Sequence, residues 1–195
     1  KPENLQKAVA LRHALHAHPE LSNREVWTKA HLMEFLRGNT AHLEIIDKGS
    51  WFYAVYRAGP GRPGVAFRAD FDAVPVEDAL DVPYVSAFPG IGHKCGHDGH
   101  SACLAALALE VDQQGADKNV FFLFQHAEET GDGAKVCTEL FQEEQVDEIF
   151  GFHNRPGAPL GTVQVLDGTI YCGSEGLILD FQGIPSHASM PELGR

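Results

Sequence analysis

The sequence has no apolar run near the roughly 20 residues that a membrane-spanning helix needs. Its opening stretch, KPENLQKAVALRHALHAHPE, lacks the continuous apolar centre of a secretory leader. A cytoplasmic setting with no membrane partner is the expectation. Positive charge is scarce: 15 Lys and Arg stand against 27 Asp and Glu, a net charge of −12 with the histidines neutral. So acidic a surface repels phosphate backbones, which argues against nucleic acid as a partner. Cysteine is scarce as well. Cys95, Cys103, Cys137 and Cys172 follow no short secreted spacing, and a chain of 195 residues can bury a core without staples, so no disulfide framework is expected. Internal repeats are absent, which excludes a stacked-repeat fold.

Against these absences stands an ordinary globular composition, 44% hydrophobic and 22% charged, with a surplus of histidine at 11 residues. The pattern predicts a first helix over residues 3 to 16, with Leu5, Ala8, Val9 and Leu15 on one face. Pro19 breaks it. Ser22 and Glu25 then read as a capping box for a second helix, Asn23 to Arg37, with Val26, Ala30, Met33 and Leu36 at helical spacing. HLEIID and WFYAVYR flank the turn-forming KGS as a hairpin or as neighbouring strands. VAFRA (65–69), VFFLFQ (120–125) and EIFGFH (148–153) are almost wholly apolar, as strands buried on both faces are. Helical stretches SACLAALALEVDQQ and AKVCTELFQEE separate them. The order predicts an α/β fold, a largely parallel twisted sheet flanked by helices. A boundary is expected near YCGSEG, dividing 1–173 from 174–195, with GLILDFQG as a fresh strand.

The residues just past each buried strand carry the chemistry. VAFRA runs into Asp70 and Asp72, VFFLFQ into His126, Glu128 and Glu129, and EIFGFH ends on His153. Sites in open α/β sheets form beyond the carboxyl ends of the strands, so three strands deliver carboxylate or imidazole to one edge. The stretch GHKCGHDGH adds three histidines, one cysteine and one aspartate in nine positions, just before a helix that could bring Cys95 and His97 to that edge. Taken singly, each residue has an ordinary use: His153 as a hydrogen-bonded strand end, the glutamates as a solvated pair, the aspartates as turn caps before Pro75. Their convergence points to a metal site.

Alternate residues of an extended segment project to one side, so Cys95 and His97 are expected to share a centre. By the same rule Glu128 and Glu129 point opposite ways, which leaves one to bind metal and the other to act as general base. Thiolate, imidazole and carboxylate together suit zinc or manganese, with cobalt or nickel as further candidates. The carboxylates leave room for two divalent ions about 3.5–4 Å apart, the spacing of co-catalytic hydrolases.

The segments LRHALHAHPELS, FRADFDAVPVED, GHKCGHDGHSA, FLFQHAEE, GFHNRPGAPLG and GIPSHASMP occur in this order. Together they resemble the aminoacylase/carboxypeptidase metallopeptidases, in the amidohydrolase subgroup with hippurate hydrolases, N-acetyl-diaminopimelate deacetylases and indole-acetyl-amino-acid hydrolases. The resemblance covers nearly the whole chain. It implies a di-metal amidohydrolase that removes an acyl group from an N-acyl amino acid or cleaves a small peptide. It implies Cys95 as a bridging thiolate, His97, Glu129 and His153 as further ligands, and Glu128 as general base. Asp70 and Asp72 would support the site by orienting a ligand imidazole. Asp98 and His100 fit helix-start and supporting roles. His187 would lie on a lid or dimerisation domain, begun by 174–195, and polarise the scissile carbonyl, with a homodimer or larger homo-oligomer as the intact assembly. Such relatives run to roughly twice this length, and their return segment carries one more histidine ligand. A metal-binding module without turnover is therefore the alternative. A di-metal phosphoesterase would want clustered basic residues, and only Arg68, Lys94 and Arg155 are close in sequence.

Overall fold

The computed structural model describes residues 1–170, 173, 177–180 and 182–194. The chain divides into two compact units, Lys1–Pro156 and Gly157–Arg195. In the first, the strands are β1 (Leu43–Asp47), β2 (Phe52–Tyr56), β3 (Gly64–Asp70), β4 (Asn119–Gln125) and β5 (Glu148–Gly151). The helices are α1 (Pro2–Ala17), α2 (Val26–Asn39), α3 (His97–Gln114), α4 (Gly133–Cys137) and α5 (Leu140–Glu143). The strands form one mixed sheet in the order β1-β2-β4-β3-β5. β2 pairs antiparallel with both β1 and β4, whereas β4, β3 and β5 are mutually parallel. The parallel part carries the candidate site.

Period-two alternation decides which face each side chain supplies. From β2 and β4, Phe52, Ala54, Val120, Phe122 and Phe124 pack with Leu11 and Leu15 of α1, Leu32, Met33 and Leu36 of α2, and Ala105 and Ala108 of α3. The intervening Tyr53, Val55, Phe121 and Leu123 face Cys137 and Leu140 of the two short helices. A sheet covered on both faces needs such uninterrupted apolar runs, which is why β2 and β4 contain almost nothing polar.

Three expectations fail in informative ways. On α1 the buried positions are Asn4, Ala8, Leu11, Leu15 and His16, while Leu5 and Val9 are exposed. On α2 they are Thr28, Leu32, Met33 and Leu36, while Val26 is exposed. Polar Asn4 belongs inside because its amide is met by Glu110 at 2.6 Å and Gln113 at 3.1 Å on α3. No capping box forms, and α2 starts at Val26 instead of Asn23. Glu20 caps it from a distance, accepting the Trp27 and Thr28 N–H groups at 3.2 and 2.7 Å. Lastly, β5 is not buried: among the described residues it pairs with β3 on one side only, and Ile149 and Phe150 are exposed.

In the second unit, described by itself, Leu177–Asp180 form no strand, while Gly176 and Phe181 of the expected GLILDFQG strand lie outside the described residues. Much of YCGSEG lies outside them too. A single 3-10 turn, Pro191–Leu193, is its regular element among the described residues. Cys95, Cys103 and Cys137 are free thiols, and Cys172 is outside the described residues.

A buried ionic cluster ties α1 to the segment that precedes α3. The ring nitrogens of His16 each meet a carboxylate, Nδ1 with Asp98 Oδ2 at 2.8 Å and Nε2 with Asp78 Oδ2 at 3.1 Å. Arg12 also reaches Asp98, and Lys94 reaches Asp78. Two carboxylate partners require two N–H donors, so this geometry selects the imidazolium. The hydrogen bond to Asp98 raises the pKa of His16 above the usual value, against a burial that lowers it, with the charges of Asp98 and Asp78 adding to the rise. A raised folded-state pKa contributes stability that is complete below the unfolded value of about 6.5 and is lost as pH rises through the folded value. Urea unfolding across that range should show stability falling with pH, and His16→Gln should remove that part of the slope while Asp98, Asp78, Arg12, Lys94 and His93 remain.

Candidate metal centre

Every candidate in the first unit sits at the carboxyl edge of the parallel strands or on the turn into α3. Asp70 ends β3 and Asp72 lies two residues beyond it. Glu128 and Glu129 come after β4, His153 after β5, and His97 is the first residue of α3. Cys95 lies two residues earlier. Between them Gly96 adopts φ 92°, and a Cβ there would lie 2.8 Å from Asn154 Oδ1, so only glycine fits this turn. The expected extended spacing is therefore absent. The left-handed turn at Gly96 brings Cys95 and His97 together instead.

His97 is the hub. Its side chain is 0% exposed, and its Nδ1 meets Asp72 Oδ1 at 3.0 Å. Asp72 spends its other oxygen on the Ser22 hydroxyl at 2.7 Å and the Glu129 N–H at 2.9 Å, so it is fixed from three directions. Such a bond orients the imidazole and leaves Nε2 as the free ligand atom. That Nε2 is buried without a hydrogen-bond partner among the described residues. Around it lie Glu129 Oε1 at 3.6 Å, Asp70 Oδ2 at 3.7 Å and Glu128 Oε2 at 3.8 Å, too far for hydrogen bonds and right for flanking a cation.

Among the described residues, three groups bring potential ligand atoms within 4.8 Å of one another: Cys95, His97 and His153; His97, Glu128 and Glu129; and Asp70, His97 and His100. His97 belongs to all three. The two glutamates thus converge, contrary to the expectation for neighbours on extended backbone. The reason is local: Ala127 takes φ 45° and the chain turns at once, with Gly131 N–H bonded to Glu128 O at 2.9 Å. Asp70 Oδ1 holds His100 Nδ1 at 2.6 Å and Asp70 Oδ2 holds Arg68 at 2.8 Å, so the two aspartates orient different histidines. Asp98 serves His16 in the ionic cluster. His187 lies in the second unit, where its Nδ1 accepts the Ser189 N–H at 3.2 Å.

Charge inside the site is poised for a cation. Burial raises the Cys95 thiol, and a hydrogen bond to Glu129 with the charges of Glu129, Glu128 and Asp70 carries it to about 12. A divalent ion in the same space reverses this balance, because a coordinating thiol is deprotonated outright. Burial also opposes ionised Asp70, but the bond from His100 and the charges of His97 and Arg68 hold it down at about 2. Burial would lower His97, yet Asp72, Asp70 and Glu129 raise it. The donor set therefore fits a divalent metal in both ligand chemistry and charge. It does not fit a phosphate: Arg68 is engaged by Asp70 and Gln125, and Lys94 by Asp78.

The motifs do not reveal the supports beneath these residues. His16, Ser22 and Glu25 belong to the end of α1 and the loop between α1 and α2, far in sequence from any ligand, and only LRHALHAHPELS hints that this segment matters. Among the described residues, both ring nitrogens of His93 and Nδ1 of His126 are buried without partners, and burial pushes His93 down to about 4.

Known proteins resemble this chain over nearly its whole length. An N-acetyl-L-cysteine deacetylase of Bacillus subtilis is 33% identical over 191 residues, 97% of this chain and 46% of that protein. An N-acetyldiaminopimelate deacetylase of Listeria monocytogenes is 30% identical over 192 residues, 97% of this chain and 52% of that protein. The chain thus spans about half the length of the curated relatives it matches. A crystal structure of a dinuclear metal-binding M20 peptidase of Bacillus subtilis superposes with a TM-score of 0.80 at 34% identity, covering 86% of this chain and 48% of that one. Residues 66–181, which include the Cys95 turn, the glutamate pair and His153, match the description "Peptidase family M20/M25/M40". With more than half the chain and the whole candidate centre inside that match, this protein belongs to peptidase family M20/M25/M40.

Proposed function

We propose that the chain forms the metal-binding part of an amidohydrolase that cleaves the amide bond of N-acyl amino acids or small peptides. The observation that carries this reading is His97: buried, fixed by Asp72 through Nδ1, with Nε2 aimed at a cluster of three carboxylates. Cys95, His97, Glu129 and His153 would hold two ions of zinc or manganese type in this reading, with Cys95 as the thiolate ligand. Bound ions supply Lewis-acid chemistry, polarising a carbonyl and lowering the pKa of water toward neutrality. The chain's own residues do the rest. Glu128, the more exposed of the pair at 38% against 24%, takes the proton of the attacking water and returns it to the departing amine. Asp72 keeps His97 in one tautomer, and Asp70 keeps His100 and Arg68 in place.

The relatives named as deacetylases of N-acetylcysteine and N-acetyldiaminopimelate support an N-acyl amino acid as substrate. In the same reading residues 1–173 belong to the catalytic domain, 174–195 begin a lid or dimerisation domain, and His187 acts on the scissile carbonyl. A homodimer or larger homo-oligomer is the assembly we infer, in the cytoplasm. No described helix is long and apolar enough to cross a membrane. Hydrolysis of N-acetyl amino acids by the metal-loaded protein, followed through the released amine, tests the reading. Metal binding with no turnover would favour a silent metal-binding module.

Two outcomes examine the residue roles. Cobalt(II) added to the protein should produce a sulfur-to-metal charge-transfer band that Cys95→Ser abolishes. An unchanged band would remove Cys95 from the centre. Glu128→Gln should keep its metal while turnover drops about 10²–10⁴-fold, the usual general-base contribution. Glu129→Gln should instead lose metal, measured by elemental analysis after dialysis. Equal metal loss in both variants would end the division of labour.

A further inference from the structure

The turn that presents Glu128 and Glu129 does not stand by itself. Ala127 has φ 45°, where its Cβ crowds the neighbouring carbonyl, and its side chain is wholly buried. Strained residues persist only where their surroundings over-determine them. Here two bonds do so. The Ala127 carbonyl accepts the Gly133 N–H at 3.1 Å. Its own N–H donates to Glu25 Oε1 at 2.7 Å, across 102 residues of sequence.

The Ala127 amide is the one long-range hydrogen-bond partner of the Glu25 carboxylate among the described residues. Glu25 stands at the N-cap of α2 yet makes no cap bond, since Glu20 has taken the Trp27 and Thr28 amides. It is only 6% exposed, an uncommon place for a carboxylate. The same loop grips the centre twice more: Ser22 holds Asp72, and Ala73 N–H donates to Glu20 O at 2.8 Å. We propose that Glu25 is a positioning residue for the metal centre, fixing Ala127 so that both glutamates face His97. The loop between α1 and α2 is then a brace under the two segments that carry Asp72 and Glu129. This rests on the metal reading above.

The test separates reach from charge in the 195-residue chain. Glu25→Asp keeps the charge but is one methylene too short to hold Ala127 N–H, and Glu25→Gln keeps the reach without the charge. Amide hydrogen exchange should accelerate at Ala127 and Glu129 in Glu25→Asp while β4 and α3 stay protected. Zinc affinity, measured by chelator competition, should fall about 10–100-fold, as loss of an outer support does. Glu25→Gln should stay within about threefold of the parent in affinity, since a neutral acceptor still satisfies the amide. Unchanged exchange at Ala127 and Glu129 in Glu25→Asp would overturn the proposal. So would faster exchange with unchanged zinc affinity. The parallel variant Glu129→Gln keeps the two readings apart: unchanged zinc affinity there overturns the metal assignment, while exchange still decides whether Glu25 holds the turn.

Discussion

One buried bond organises the centre, that between Asp72 and His97. Both side chains are sealed from water, at 1% and 0% exposure, and Asp72 shares its carboxylate among an imidazole, a hydroxyl and a backbone amide. A buried carboxylate is tolerable only when such partners replace its hydration. The same partners make it a junction, because Ser22 belongs to the loop after α1, His97 to α3, and Glu129 to the turn after β4. Moving any one of these elements disturbs the other two. The fold thereby converts the packing of helices on a sheet into the aim of a single ring nitrogen.

The sheet exists to make that junction possible. β3 and β4 are parallel and adjacent, so their carboxyl ends open at the same edge. Their register pairs Asp70 with Gln125 as the last residues of both strands. The segments that carry Asp72 and Glu128 therefore leave the sheet at the same level. The ionic cluster of His16, Asp98 and Asp78 adds a second tie, fastening the approach to Cys95 onto α1. Neither tie touches substrate in the proposed reading, yet both govern where the ligands stand.

Much of this is legible in the chain. Apolar runs such as VFFLFQ fit strands covered on both faces, and the acids and histidines that end them announce a common edge. Local patterns do not reveal a side chain whose use is tertiary. Ser22 and Glu25 satisfy a capping-box spacing, but Asp72 and the Ala127 amide claim them first. Glu128 and Glu129 would diverge on an extended backbone, and the positive φ of a non-glycine residue has no sequence signature. Leu5 and Val9 fit one helical face of α1, but the helix buries Asn4 because Glu110 and Gln113 await it. EIFGFH reads as a covered strand, whereas among the described residues β5 has β3 on one side alone.

That exposed strand gives the centre two halves of unequal stiffness. His97 is anchored in the interior, while His153 follows β5, whose every residue is exposed and whose strand neighbour among the described residues is β3. Discrimination among metal ions of one charge depends on how firmly coordination geometry is imposed. With one imidazole rigid and the other compliant, the proposed ligand set can adjust to ions that differ in radius and preferred angle. In the proposed reading, selectivity among first-row metals would then be weak at the level of this unit, and the bound ion would reflect supply in its surroundings more than the shape of its seat.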